Sequence, residues 1–150
     1  MAVDLLDQLG ELFAVDDGSL PEIRVEGLDA ETVAKALALV EGLAVKPLKY
    51  AHEQGANAPA DANHFVATLN VGGCELPDLG FGAFGDAVII DYRMGPEWTV
   101  DRVRALLKLL HDISALKPGA YVQIEPEADA RLRRAFQRIW LQYLTQKGAA

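Results

Sequence analysis

Two stretches of this chain read alike, and together they limit what it can fold into. Residues 22–28 alternate, with Ile23 and Val25 turned one way and Glu22, Arg24 and Glu26 the other, as in a half-buried strand. Asp29 then stands as a helix N-cap, and Leu28 and Val33 hold the two positions of a hydrophobic staple. Val33, Leu37 and Val40 continue as a helical stripe that ends near Gly42. The outline repeats at Ala87 to Arg93. Val88, Ile90 and Tyr92 face one way and Ala87 and Ile89 the other, the pattern of a central strand apolar on both faces. Gly95-Pro96-Glu97 breaks it, Thr99 caps a helix, and Trp98 and Val103 form the second staple. Val103, Leu106, Leu107, Leu110 and Ile113 form its buried face, with Leu116 a further candidate, and Pro118-Gly119 ends it.

The remaining segments fit around this pair. Leu5, Leu6, Leu9, Leu12 and Phe13 have helical spacing, followed by a turn at 16–21. Val45 to Tyr50 is an edge strand at most, because Pro47 cannot donate to a ladder. Residues 51–63 lack apolar periodicity and read as an exposed loop. His64 to Val71 is a strand with Phe65, Ala67, Leu69 and Val71 on one face. A glycine-rich connection covers 72–85. Tyr121 to Glu125 is a short strand, and Pro126 opens a last helix with the stripe Leu132, Phe136, Ile139, Trp140, Tyr143 and Leu144. The expected fold is one α+β domain over residues 1–150. It has an antiparallel or mixed sheet of about four or five strands, a split β-α-β-β-α-β core of ferredoxin-like outline, and extra N- and C-terminal helices.

Composition supports a single packed domain: 150 residues, 51% hydrophobic. The formal charge of −8 argues against nucleic acid and anionic membranes, which are bound through Lys and Arg. The acids cluster. Asp4, Asp7, Glu11, Asp16, Asp17, Glu22, Glu26, Asp29 and Glu31 stand against Arg24 alone in the first 31 residues. Residues 127–147 are the reverse, with Arg131, Arg133, Arg134, Arg138 and Lys147 against Glu127 and Asp129. One cysteine, Cys74, permits no internal disulfide and suits a reducing, cytoplasmic setting. Met1 to Asp7 has neither the basic start nor the apolar run of a signal peptide, and no apolar stretch is long enough to span a bilayer.

Several motifs invite a function. Gly80-Phe81-Gly82-Ala83-Phe84-Gly85 matches G-x-G-x-x-G, but a strand follows it where a dinucleotide site needs a helix N-terminus. The parts that accompany a kinase glycine loop are absent. The plain expectation is a connection whose two phenylalanines fold onto the core; the sharper one is a loop that presents Phe81 and Phe84 to a partner. His52, Glu53, Asp61 and His64 match no metal-ligand spacing. Asp91 and Arg93 leave one face of a strand end, with Glu97 and Trp98 just beyond, and the simplest expectation is an Asp91–Arg93 pair. A negative neighbour, Glu75, speaks against a reactive Cys74. Arg131, Arg134 and Arg138 form a basic ridge, whose plain reading is a solvated face and whose sharper one is a contact with acidic residues.

Two functions are expected from this. The first is a non-enzymatic cytoplasmic binding or regulatory protein of immunity type. It would engage a protein partner, basic in character, through the acidic surface or the Gly/Phe segment 72–85. The second is a small enzyme or ligand-binding domain with a pocket near Tyr92, Arg93, Glu97 and Trp98. The binding candidates are Phe81, Phe84, Asp91, Arg93, Glu97 and Trp98. No catalytic residue, cofactor, metal, nucleic acid or membrane is assigned, and a homo-oligomer is compatible with the amphipathic terminal helices.

Overall fold

The computed structural model describes residue 13 and residues 21–50, 64–125 and 128–149. In chain order the elements are β1 (Glu22–Glu26), α1 (Ala30–Leu43), β2 (Lys49–Tyr50), β3 (Phe65–Ala67), β4 (Asn70–Val71), β5 (Cys74–Glu75), β6 (Leu79–Phe84), β7 (Ala87–Tyr92), α2 (Val100–Ser114), β8 (Tyr121–Ile124) and α3 (Ala130–Ala149). The expected N-terminal helix lies outside the described residues apart from Phe13, as do the loop at 51–63 and Pro126.

Strands β2-β3-β6-β7-β1-β8 form one sheet in that order, and every neighbouring pair is antiparallel. The sheet is larger than expected, and no neighbouring pair is parallel. The extra strand is β6, drawn from the segment read as a glycine-rich connection. Leu79 and Phe81 are buried on one side, while Gly80 and Gly82 occupy alternate positions on the other. A strand ordinarily loses stability from glycine. Here Gly80 leaves room for the Asp91 carboxylate, which a Cβ would strike, and Gly82 faces the His64 ring. The rest of the segment is a hairpin, β4–β5. Gly72 and Gly73 at φ 60° and 87° give it the sign pattern of a type I′ turn.

The strand expected at 64–71 is interrupted. β3 ends at Ala67, Leu69 bridges Ala44, and β4 begins at Asn70, yet Phe65, Ala67, Leu69 and Val71 are all buried as the alternation requires. β7 lies between β6 and β1, the central place foreseen for it. Both caps form: Asp29 accepts from Thr32 N at 2.8 Å and Thr99 from Arg102 N at 3.3 Å. Both staples are buried, Leu28 with Val33 and Trp98 with Val103.

One core results. Ile23, Val25, Val88, Ile90, Leu79, Phe81 and Ile124 share a sheet face and belong to the same buried cluster as Val33, Ala36 and Val40 of α1, Val103, Leu106 and Leu110 of α2, and Phe136 and Ile139 of α3. Phe13, Tyr92 and Trp98 close one end, with ring centroids 4.9–5.6 Å apart, and the Trp98 indole donates to Arg93 O at 2.8 Å. Among the described residues, no helix covers the opposite sheet face.

Candidate functional site

That opposite face carries the side chains that the alternation turns away from the core. On β1 these are Glu22, Arg24 and Glu26, all half-buried. Arg24 Nη2 lies 3.4 Å from Glu22 Oε2, and the Gln123 amide of β8 donates to Glu26 Oε2. β7 adds Ile89 and Asp91, and Asp91 is the register partner of Glu22. Three carboxylates therefore share the face with one guanidinium. His64, just before β3, sets Nε2 3.5 Å from Asp91 Oδ2 over the glycines of β6. This contact replaces the Asp91–Arg93 pair. The strand ends at Tyr92, so alternation no longer governs Arg93, and no ion pair joins the two among the described residues.

Two aromatics stand out. Phe84, at the tip of the β6–β7 hairpin, is 75% exposed, and Tyr121, the first residue of β8, is 53% exposed. Phe84 pairs with Ala87 and Tyr121 with Glu26, and the β1–β7 register carried on by one residue sets Glu26 beside Ala87. The four form one row across four strands, aromatic at both ends with a carboxylate between. At about 4.8 Å per strand the row is roughly 14 Å long. The tip is anchored: Gly85 supplies the positive φ of a two-residue turn, and Asp86 O accepts from Leu28 N at 2.9 Å.

The six candidates separate. Phe84 and Asp91 lie on the open face. Phe81 is fully buried and stacks on Phe65 at 5.5 Å, so it cannot reach a partner. Trp98 is a core side chain as well. Arg93 and Glu97 are exposed at the end of β7 and in the turn that follows, where the Glu97 carboxylate folds against Gly95. Tyr92 and Trp98 pack into the core, so of the four residues expected around a pocket there Arg93 and Glu97 are at the surface. Sequence reasoning missed Tyr121 and His64 as members of one surface. Their alternation was visible, but the register that aligns them with Phe84 and Asp91 was not.

A groove of about 340 Å³ separates β8 from α3. Val122 and Ile124 line one side; Arg133, Phe136, Gln137, Trp140 and Leu141 line the other. A wider cleft lies where the β4–β5 hairpin meets α2, with Cys74, Arg104, Lys108 and Tyr143 at its surface. Lys108 is committed to Asp112 at 2.8 Å, which raises its pKa. The described residues contain no group of three or more His, Cys, Asp and Glu placed to hold a metal, and no helix among them is long and apolar enough to cross a membrane.

Comparison with known proteins found no protein family, no curated protein and no solved structure that matches this chain.

Proposed function

We propose that the protein is a non-enzymatic binding protein that engages a basic protein partner through its open sheet face, in a regulatory or neutralising role of immunity type. The observation that carries this is the aromatic row. Phe84 and Tyr121 are large and exposed, Phe84 on an anchored hairpin tip, and aromatic side chains of that kind serve as interface anchors. Glu22, Glu26 and Asp91 around them give the face a negative balance, which favours a basic partner in both encounter and specificity. The lone free cysteine, Cys74, fits a cytoplasmic setting. We also read β6-β7-β1-β8 with α1 and α2 as the split core of ferredoxin-like outline, with β2 to β5 inserted between α1 and β6. The alternating antiparallel order supports it.

The test is affinity capture from the native lysate at low salt, with wild type, Phe84→Ala and Glu22→Lys/Glu26→Lys run in parallel. A basic protein should be retained by wild type, released by added salt, and lost from both variants. If wild type and the two variants retain the same set of proteins, this face is not the binding surface.

A further inference from the structure

The groove between β8 and α3 has a different chemistry from the open face. Glu125 N–H bonds to Glu22 O at 2.9 Å, which fixes the alternation along β8. Residues 121, 123 and 125 turn their N–H and C=O toward β1, so Val122 and Ile124 turn theirs away from the sheet. Ile124 is 2% exposed and lies at the groove floor, whereas Val122 is half-buried. Edge strands are usually guarded by a charge or a proline, and Tyr121-Val122-Gln123-Ile124 has neither. Of the basic residues of α3, Arg133 lines the facing wall, and the helix carries no carboxylate, in a chain of net charge −8. Leu141, 53% exposed, gives that wall an apolar contact beside Trp140.

We propose that this groove takes an extended acidic segment of a partner protein, which adds to β8 as a further strand. Its backbone exchanges hydrogen bonds with Val122, an apolar side chain settles against Trp140 and Leu141, and a carboxylate meets Arg133. A second copy of this chain suits the groove less well. Pairing β8 with itself about a twofold axis would bring two arginine-rich, acid-free helices to the same seam.

Binding of a labelled peptide of about ten alternating glutamates and valines, followed by fluorescence anisotropy on the full chain, tests this. It should bind at least about tenfold more tightly than the lysine–valine peptide, and more weakly as salt is raised. Val122→Pro removes an N–H that β1 does not use, and should weaken binding by about tenfold or more while the fold persists. Gln123→Pro removes an N–H given to β1 and should destabilise the fold instead. Arg133→Glu and Leu141→Asp, both on α3, should each weaken binding. If Val122→Pro does not fold, these two variants together with slowed amide exchange at Val122 on peptide addition carry the test. Phe84→Ala should leave peptide binding unchanged, so failure here is separate from failure of the open-face proposal. Equal affinity for both peptides, binding indifferent to Val122→Pro and Arg133→Glu, or a concentration-dependent dimer that excludes the peptide would each overturn the assignment.

Discussion

Phe81 and Phe84 stand three positions apart on one strand and end in opposite environments, because an odd separation changes the face. Phe81 packs on Phe65 within the core, and Phe84 projects from the hairpin tip. Their truncations should differ accordingly. Phe81→Ala is expected to cost about 3–5 kcal/mol in denaturant unfolding, the usual loss for emptying a buried phenylalanine site. Phe84→Ala should stay within about 0.5 kcal/mol of wild type, since it removes an exposed ring. Similar costs for the two would mean that the strand alternation is misassigned. The glycines between them show how residue identity depends on a distant neighbour. Gly80 is next to Phe81 in sequence, yet what it accommodates is Asp91 on another strand.

Helix starts are the elements best defined locally. The Asp29 carboxyl is held far below its ordinary value of 3.8, first by the Thr32 hydroxyl and backbone N–H and then by Lys117 Nζ at 3.0 Å. A lowered carboxyl pKa stabilises the fold above the unfolded value, and that contribution is lost as pH falls through 3.8 toward the folded value. Asp29→Asn should therefore be less stable than wild type near neutral pH, with the gap closing in acid below about pH 4. A gap that is constant with pH would show that charge is not involved. Thr99→Ala should cost about 1 kcal/mol through loss of the α2 cap, read as a shift in the urea midpoint. The β4–β5 turn is as local as the caps: two consecutive glycines at positive φ join strands of two residues each.

Across the whole molecule, opposite charges collect on different surfaces. The open sheet face holds Glu22, Glu26 and Asp91, while the first half of α3 carries Arg131, Arg133, Arg134 and Arg138. The aromatic end of the core adds a titration signature. Burial pushes the Tyr92 phenol well above its ordinary 10.0, and Glu125 adds to the shift. Because the folded state keeps this proton, its stabilising effect is complete below pH 10.0 and is lost as pH rises beyond it. Wild type should lose stability steeply above about pH 10, and Tyr92→Phe less steeply, as followed by circular dichroism and tyrosine absorbance. Parallel slopes would place Tyr92 outside the alkaline transition. At this scale the sequence was least informative. The alternation of β1 and β7, both caps and both staples could be read from residues a few positions apart. The glycine-rich 79–84 strand could not, because its glycines obscure an alternation that Leu79, Phe81 and Ala83 do carry.

By itself, then, the sequence determined which residues face inward on each described helix and on most strands, where two helices begin, and how unevenly the charge is distributed. These depend on periodicity and on contacts within one turn. The tertiary structure alone decided that Phe84 and Tyr121, 37 positions apart, end one row of a shared surface, and that Asp91 meets His64 instead of Arg93. It also decided that an uncharged strand edge lies beside an arginine-rich helix. Each of these follows from strand order and register, which are set by how the elements bury their apolar faces together and which no local pattern encodes.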